Sequence, residues 1–167
     1  MDPLAGAVHA KVREQIERTV HLIGRVPPDR VPWIPPIPGA WPLGELLGHL
    51  LDCLAGVCAV LYAAHPEELA HFADLRTLPV NFACNPDEAC ERIAFYKARI
   101  GEGFGMLRDD DLARKLPTVF VAEGEPVLTL LLGNLEHLIN HKHQLFMYLK
   151  ILPVSVGTAD LYCLRAG

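Results

Sequence analysis

Apolar residues recur at intervals of three and four along several long segments, a spacing that predicts helices with one buried face. In the first segment Val12, Ile16, Val20 and Ile23 follow this spacing, and charged residues stand between them. The same reasoning predicts four long helices, at about residues 4–25, 41–64, 86–107 and 127–151. The pattern therefore predicts an all-α protein, organised as a four-helix bundle.

Prolines mark the connection between the first and second predicted helices. Residues 27–38 contain six prolines, which keep the chain extended because proline cannot continue a helix. Such a stretch could be a polyproline ligand for a partner domain. We favour a stiff connector, since the apolar side chains of Val31, Trp33, Ile34 and Ile37 are expected to be buried against the bundle.

The second predicted helix is apolar enough to raise the question of a membrane span. Its apolar part, residues 46–64, only just reaches the ~20 residues that a span needs, and it contains His49 and Asp52. We interpret it as the buried helix of a bundle, with Pro42 in the first turn. No membrane association is predicted.

The connection between the second and third helices is long. Residues 65–85 show little periodicity and are interrupted by prolines, while Asn85 and Pro86 fit the N-cap and first position of the next helix. A crossover of this length is typical of bundles in which helices adjacent in sequence are not joined by tight hairpins.

Two further short segments complete the pattern. Asp109–Asp111 could suggest a magnesium site, but three consecutive carboxylates cannot all face one ion, so we interpret them as the cap of a short helical turn. Residues 116–122 are predicted to be extended. In the tail, Leu161 and Tyr162 are expected to pack back on the bundle.

Composition limits the class of protein. The 167 residues suit a single domain over 1–167, and they are 51% hydrophobic and 21% charged. A net charge of −5 with scattered basic residues argues against nucleic-acid binding. The N-terminus has no pattern of a signal peptide. Five cysteines without a C-x-x-C pair indicate reduced thiols and a cytoplasmic location: Cys53, Cys58, Cys84, Cys90 and Cys163.

The candidate chemistry lies on the fourth helix. His137 and His141 are four residues apart, which places their Cβ atoms roughly 5–6 Å apart on one helical face. Two imidazoles in this arrangement can bind one transition-metal ion, although a pair alone is more often a polar helix edge or a hydrogen-bonded pair in the core. His143 lies about 200° around the helix from His141, so we do not expect it to join the same ion.

A third histidine makes a metal site at that pair easier to accept. His49 lies in the middle of the apolar second helix, where an ionisable group needs a partner. The partner is either a hydrogen bond or a metal ion shared with the fourth helix. Glu45 and Asp52 flank His49 by one turn on either side, so either carboxylate could accept a hydrogen bond from a ligating imidazole or could be an exposed charge.

These residues carry a family resemblance. The run from Trp41 to Leu50, Trp-Pro-Leu-Gly-Glu-Leu-Leu-Gly-His-Leu, is followed far downstream by His137-x-x-x-His141-Lys-His-Gln-Leu. Together they resemble the DinB/YfiT-like metal-binding family, over most of the chain. The resemblance implies that His49, His137 and His141 are the metal ligands. It also implies an up-down-down-up bundle with the long crossover between helices 2 and 3.

The resemblance also implies a range of functions. Members of the family include S-transferases and isomerases that depend on low-molecular-weight thiols, and metal-dependent hydrolases. The chain departs from the common family pattern at Lys142 and His143, where arginine and glycine are frequent. These differences affect no ligand, but they weaken any substrate contact inferred for that turn.

Three imidazoles leave at least one coordination position open, as in catalytic metal sites. Zinc or nickel suits imidazole best, with iron or manganese as alternatives. We therefore expect a metal-dependent enzyme that acts on a small-molecule substrate with a low-molecular-weight thiol, or a hydrolase. Asp52 is the expected hydrogen-bonding neighbour of the site. The rival hypothesis is a non-catalytic metal-binding or stress-associated bundle. The high apolar content further predicts a homodimer.

Overall fold

The computed structural model describes residues 2–118 and 121–163, and four long helices dominate these ranges. Short 3₁₀ turns and a fifth, five-residue helix accompany them. A two-residue antiparallel pair, β1 (Lys115–Leu116) with β2 (Glu125–Pro126), precedes the last long helix. The prediction of an all-α protein is confirmed. The helices are α1 (Pro3–Ile23), α2 (Leu43–Ala64), α3 (Pro86–Met106), α4 (Val127–Ile151) and α5 (Thr158–Tyr162).

The four long helices pack in a ring in which α1 and α2 each contact both α3 and α4. The helices α1 and α2, which are adjacent in sequence, therefore lie diagonally opposite each other across the core. Aliphatic side chains of α2 fill that core, where Leu46, Leu47, Leu50 and Leu51 are fully buried. Because α2 is central, its polar positions come close to α4, which determines where His49 lies.

The crossover between α2 and α3 returns along α2 to its N-terminal half. The Asn81 N–H donates to the Gly48 carbonyl at 3.3 Å, and the Cys84 N–H donates to that of Gly44 at 3.2 Å. Glycine is required at Gly48, because a Cβ there would lie 1.8 Å from the Phe82 carbonyl oxygen. As a result, α3 begins at the same end of the bundle as α2. The complete up-down-down-up order stays a prediction.

One side-chain carboxamide and one carboxylate cap the starts of two long helices. The Asn85 side chain accepts a hydrogen bond from the Glu88 N–H at 2.9 Å, as predicted for an N-cap. Asp109 accepts hydrogen bonds from the Leu4 and Ala5 N–H groups at 3.2 and 2.8 Å. The acidic run therefore ties the start of α1 to the turn that follows α3, beyond the local capping that the sequence predicts.

The proline-rich connector differs from its prediction. Val31 and Trp33 are half-buried, but Ile34 and Ile37 are 57% and 50% exposed, so the prediction that all four are buried is wrong. The connector is also not extended as predicted, because it forms a 3₁₀ turn at Pro28–Arg30. The Val31 and Trp33 carbonyls accept hydrogen bonds from the first residues of α2, so these two residues are held against the bundle. Val119 and Phe120, within the segment predicted to be extended, lie outside the described residues.

Helix α2 has the length and mean hydropathy of a membrane-crossing helix. Most of it is buried among α3 and α4, which accounts for its apolar sequence. At the other end of the chain, Leu161 of α5 packs against the core, and the Arg18 guanidinium lies 5.2 Å above the Tyr162 ring. The predicted return of the tail to the bundle is confirmed.

Candidate metal centre

Three imidazole nitrogens converge where α2 contacts α4. The Nε2 atom of His49 lies 3.0 Å from Nε2 of His137 and 3.1 Å from Nε2 of His141. His49 projects from α2, while His137 and His141 project from one face of α4, one turn apart. All three rings are partly buried. The structure thus brings together the three histidines that the sequence predicts as ligands.

Hydrogen bonds on the far side of two rings determine which nitrogen carries the proton. The Asn81 side-chain oxygen lies 2.6 Å from His49 Nδ1, and the Gln144 side-chain oxygen lies 2.9 Å from His141 Nδ1. An amide oxygen can only accept, so each Nδ1 donates its hydrogen. In the neutral rings, the Nε2 atoms of His49 and His141 therefore present lone pairs.

A short hydrogen-bond chain fixes the orientation of the Gln144 amide. Its nitrogen donates to the Tyr148 hydroxyl at 3.1 Å, and that hydroxyl donates to the Trp41 carbonyl at 3.3 Å. Its oxygen is consequently directed at His141. Tyr148 is buried, so the chain is anchored in the core of the bundle. This is the arrangement by which metal-binding histidines are commonly oriented.

The donor set fits a divalent ion. Two lone pairs 3.1 Å apart repel each other, and a cation between them removes that repulsion. Ligand nitrogens in a tetrahedral zinc site are separated by about 3.3 Å, given bonds of about 2.0–2.1 Å. The observed separations of 3.0 and 3.1 Å are only a few tenths of an ångström shorter.

Burial keeps the imidazole rings of His137 and His141 in the neutral form that can bind a metal ion. Desolvation, followed by the neighbouring His49, lowers the pKa of His137 below its ordinary value. Desolvation also lowers the pKa of His141, against the opposing effect of the Gln144 hydrogen bond. Both rings are therefore neutral at pH 7, as metal coordination requires.

A fourth donor, Cys53, lies beside the histidines. Its Sγ and the ligand nitrogens of His49 and His137 all lie within 4.8 Å of one another. The thiol is buried, donates to the His49 carbonyl at 3.4 Å, and has its pKa raised to about 12 by burial and by the charge of Asp52. Two overlapping donor sets therefore share His49 and His137: one adds His141, the other Cys53.

The two carboxylates predicted near His49 take different positions. Asp52 Oδ2 lies 4.0 Å from His49 Nδ1, beyond hydrogen-bond distance, and Asn81 occupies the hydrogen-bonding position instead. Glu45 lines a cavity of about 330 Å³ together with Trp41, His49 and Asn81. Of the three histidines, His49 alone lines this cavity.

Trp41 covers the cluster on the cavity side. Its ring lies 4.6 Å from that of His49, edge to face, and 5.7 Å from that of His141, nearly parallel. The indole is 39% exposed and lines the cavity beside His49, so it forms a hydrophobic wall of that cavity next to the imidazoles. Such a wall lowers the local dielectric constant around a bound ion.

The two residues that depart from the family pattern lie away from the cluster. His143 is exposed, as its position around the helix predicts. The Lys142 side chain is buried, and its ammonium donates to the Gln15 side-chain oxygen at 2.8 Å. Desolvation, followed by the charge of Arg18, lowers the pKa of Lys142. Lys142 therefore joins α4 to α1 and does not face the cavity.

The sequence analysis missed three residues around the cluster. Cys53 had a local signal, because it follows His49 by four residues and so lies on the same helical face. Gln144 had a similar signal, three residues after His141. Asn81 had no signal in the sequence, since it reaches His49 only because the crossover returns along α2. The backbone of Asn81 is left-handed there, with φ 58°.

Comparison with known proteins assigns the family. Residues 11–145 match the DinB superfamily, and the chain belongs to that superfamily. This confirms the family resemblance, and the family assignment agrees with the helical fold. No curated protein sequence matches the chain.

Solved structures show the same fold at low identity. A DinB-like protein from Bacillus subtilis, YjoA, is 15% identical with a TM-score of 0.68, over 90% of this chain and 94% of that chain. The mycothiol-dependent maleylpyruvate isomerase is 15% identical with a TM-score of 0.55, over 94% of this chain and 64% of that one. A histidine-to-alanine mutant of the isomerase also matches, at 13% identity and a TM-score of 0.53, over 92% of this chain and 61% of that chain. The chain thus spans less than two thirds of the isomerase.

Proposed function

We propose that this protein is a metal-dependent enzyme whose divalent ion is held by His49, His137 and His141. The observation that carries the proposal is the pair of Nε2 lone pairs, on His49 and His141, that face each other at 3.1 Å. Hydrogen bonding within a neutral imidazole cluster does not relieve that contact, whereas a cation does. The set of imidazoles favours zinc or nickel, with iron or manganese as alternatives.

The position facing the cavity is where a substrate ligand enters. Three protein nitrogens would leave a coordination position free, and the cavity lined by Trp41 and Glu45 reaches His49 from solvent. A bound ion lowers the pKa of a thiol or water in that position. Asn81 and Gln144 hold the rings in place, and the Trp41 indole shields the reacting ligand from water.

Thiol transfer is the reaction class that we favour. The thiol would release its proton to solvent, and its sulfur would attack an electrophilic carbon that carries a leaving group. The carbon–sulfur bond forms as the bond to the leaving group breaks, and the leaving group departs with that electron pair. The support is the fold shared with an isomerase that is described as mycothiol-dependent. Hydrolysis by an ion-bound water is the alternative within the same site. The partner would be a low-molecular-weight thiol in the cytoplasm, with no nucleic acid or membrane involved.

The test is turnover by the untagged protein with 1-chloro-2,4-dinitrobenzene and a panel of thiols, mycothiol and cysteine among them. We expect thiol-dependent turnover that chelation abolishes and zinc or nickel restores. A protein that binds the ion stoichiometrically but turns over neither this electrophile nor simple ester substrates would favour the rival hypothesis, a non-catalytic or stress-associated metal-binding bundle. The control is His143→Ala, which removes an imidazole outside the cluster.

A further inference from the structure

The donor at Cys53 extends the site beyond three histidines. Along one face of α2, Glu45, His49 and Cys53 follow at intervals of four residues, so each is separated from the next by about 6 Å along the helix axis. Glu45 lines the cavity and is exposed, whereas Cys53 is fully buried. The histidine cluster therefore has a solvent side, at the cavity, and a protein side, at the thiol.

The Cys53 sulfur is close enough to reach an ion at the cluster. Its distance from the ligand nitrogens of His49 and His137 is no greater than 4.8 Å. A sulfur and a nitrogen bound to one tetrahedral zinc are about 3.5 Å apart, given bonds of about 2.3 and 2.0–2.1 Å. The sulfur therefore needs to move by no more than about 1 Å to bind the same ion.

We propose that Cys53 is a fourth, exchangeable ligand that holds the ion in the resting protein and is displaced by the incoming thiol. This inference rests on the proposed function, since it assumes that the ion is bound at the histidines. On ion binding, the Cys53 thiol releases its proton to solvent and forms a metal–sulfur bond. When an external thiol enters from the cavity, it gives its proton to the departing Cys53 sulfur and takes its place on the ion.

The exchange has a consequence for the substrate class. In the resting protein the thiolate of Cys53 competes with water for the ion, so a weak oxygen ligand is excluded. An external thiol can replace it because the exchange trades one metal–sulfur bond for another. The internal ligand thus selects thiols over water at the open position, and it favours thiophilic ions such as zinc over manganese.

The experiment uses cobalt in place of the native ion, because a cobalt–thiolate bond produces an intense charge-transfer band in the near ultraviolet. We expect one cobalt per chain and this band in the wild-type protein without added thiol. Cys53→Ser should keep the cobalt but lose the band. The matched control is Cys58→Ser on the same helix, since Cys58 is also buried, with a thiol pKa raised to about 12, but lies about 140° around the helix.

Added mercaptoethanol tests the exchange itself. In Cys53→Ser the band should appear only on addition of the thiol, whereas the wild-type protein should show it before any thiol is added. Cobalt bound by the wild-type protein without a sulfur band would overturn the role of Cys53 and leave the histidine site intact. Failure to bind cobalt at all would overturn both proposals.

Discussion

The Nε2 atoms of His49 and His141 lie 3.1 Å apart, and each ring already donates its Nδ1 hydrogen to a side-chain amide oxygen. The arrangement therefore directs unprotonated nitrogens from α2 and α4 at a common point. An ion bound at that point should depend on each ligand, on pH and on the groups that orient the rings.

Substitution of one ligand should separate the cluster from its neighbours on α4. His141→Ala is expected to bind the ion much more weakly, because only His49, His137 and Cys53 remain as donors. His143→Ala should bind one ion per chain with the affinity of the wild type, since His143 is exposed and outside the cluster. Titration calorimetry with zinc measures both. Equal affinity in the two variants would remove His141 from the ligand set.

Acid should release the ion before the fold is lost. The pKa values of His137 and His141 are lowered in the folded chain, so below about pH 6.5, the ordinary value, the unfolded chain takes up protons that the folded chain does not. Their effect on stability is thus absent above about pH 6.5 and becomes destabilising as the pH falls. Ion binding pulls the apparent pKa lower still, because each ligand must be neutral.

We therefore expect ion loss below about pH 6, steeper than a one-proton titration, with helicity retained. Bound metal followed by emission spectrometry and helicity followed by circular dichroism, from about pH 4 to pH 8, measure the two transitions. A loss of helicity that coincides with ion loss would mean that the ion is structural, since the apolar core is otherwise large enough to keep the helices folded.

Removal of an orienting amide should weaken ion binding without abolishing it. Gln144→Leu deletes the acceptor of the His141 Nδ1 hydrogen, and affinity for zinc should fall by about 10–100-fold. Gln144→Glu keeps an acceptor at the same position and should retain most of the affinity. A purely structural role for Gln144 would instead lower the melting temperature and leave the zinc affinity of the folded protein unchanged.

The close approach of the crossover to α2 should be sensitive to one methyl group. Gly48→Ala places a Cβ 1.8 Å from the Phe82 carbonyl oxygen, so the crossover must shift away from the helix. We expect a destabilisation of about 1–3 kcal/mol, typical of overpacking, in urea denaturation. Zinc affinity should also fall, because Asn81 moves with the crossover. Gly133→Ala is the control, since a Cβ there meets nothing within 4 Å.

The assembly state is a prediction that rests on exposed apolar side chains. Ile34, Ile37 and Trp41 are 57%, 50% and 39% exposed, on and just after the proline-rich connector. We expect a homodimer, the commonest closed oligomer. Light scattering at micromolar concentration should give twice the monomer mass of 18.4 kDa. A mass of one chain would contradict this expectation.

Local spacing was enough to predict the helices and the pair His137 and His141, and the family resemblance added His49 to that pair. His137 and His141 share a helical face by sequence alone, and an isolated His49 in an apolar helix requires a polar partner. The environment of His49 was not predictable in the same way. Asn81 is 32 residues away from His49 in sequence. It reaches the ring because the crossover lies directly against α2 at Gly48. Such long-range approach leaves no periodic signal.

The prediction for the connector was wrong for a related reason. Ile34 and Ile37 have the apolar character of core residues, but the turns of the proline-rich backbone determine which side chains face the bundle. Composition alone does not give that direction. The same limit applies to Cys53, whose position on the helix was readable but whose proximity to His137 depends on the packing of α2 against α4.

The most direct test of the account is the metal content of protein purified without a histidine tag. After dialysis against zinc, nickel, iron or manganese and removal of free ion, emission spectrometry should find one divalent ion per chain for at least one of these metals. The variant with alanine at His49, His137 and His141 should hold none. A wild-type chain that retains no ion under any of these conditions, or a triple variant that retains as much as the wild type, would contradict the metal centre.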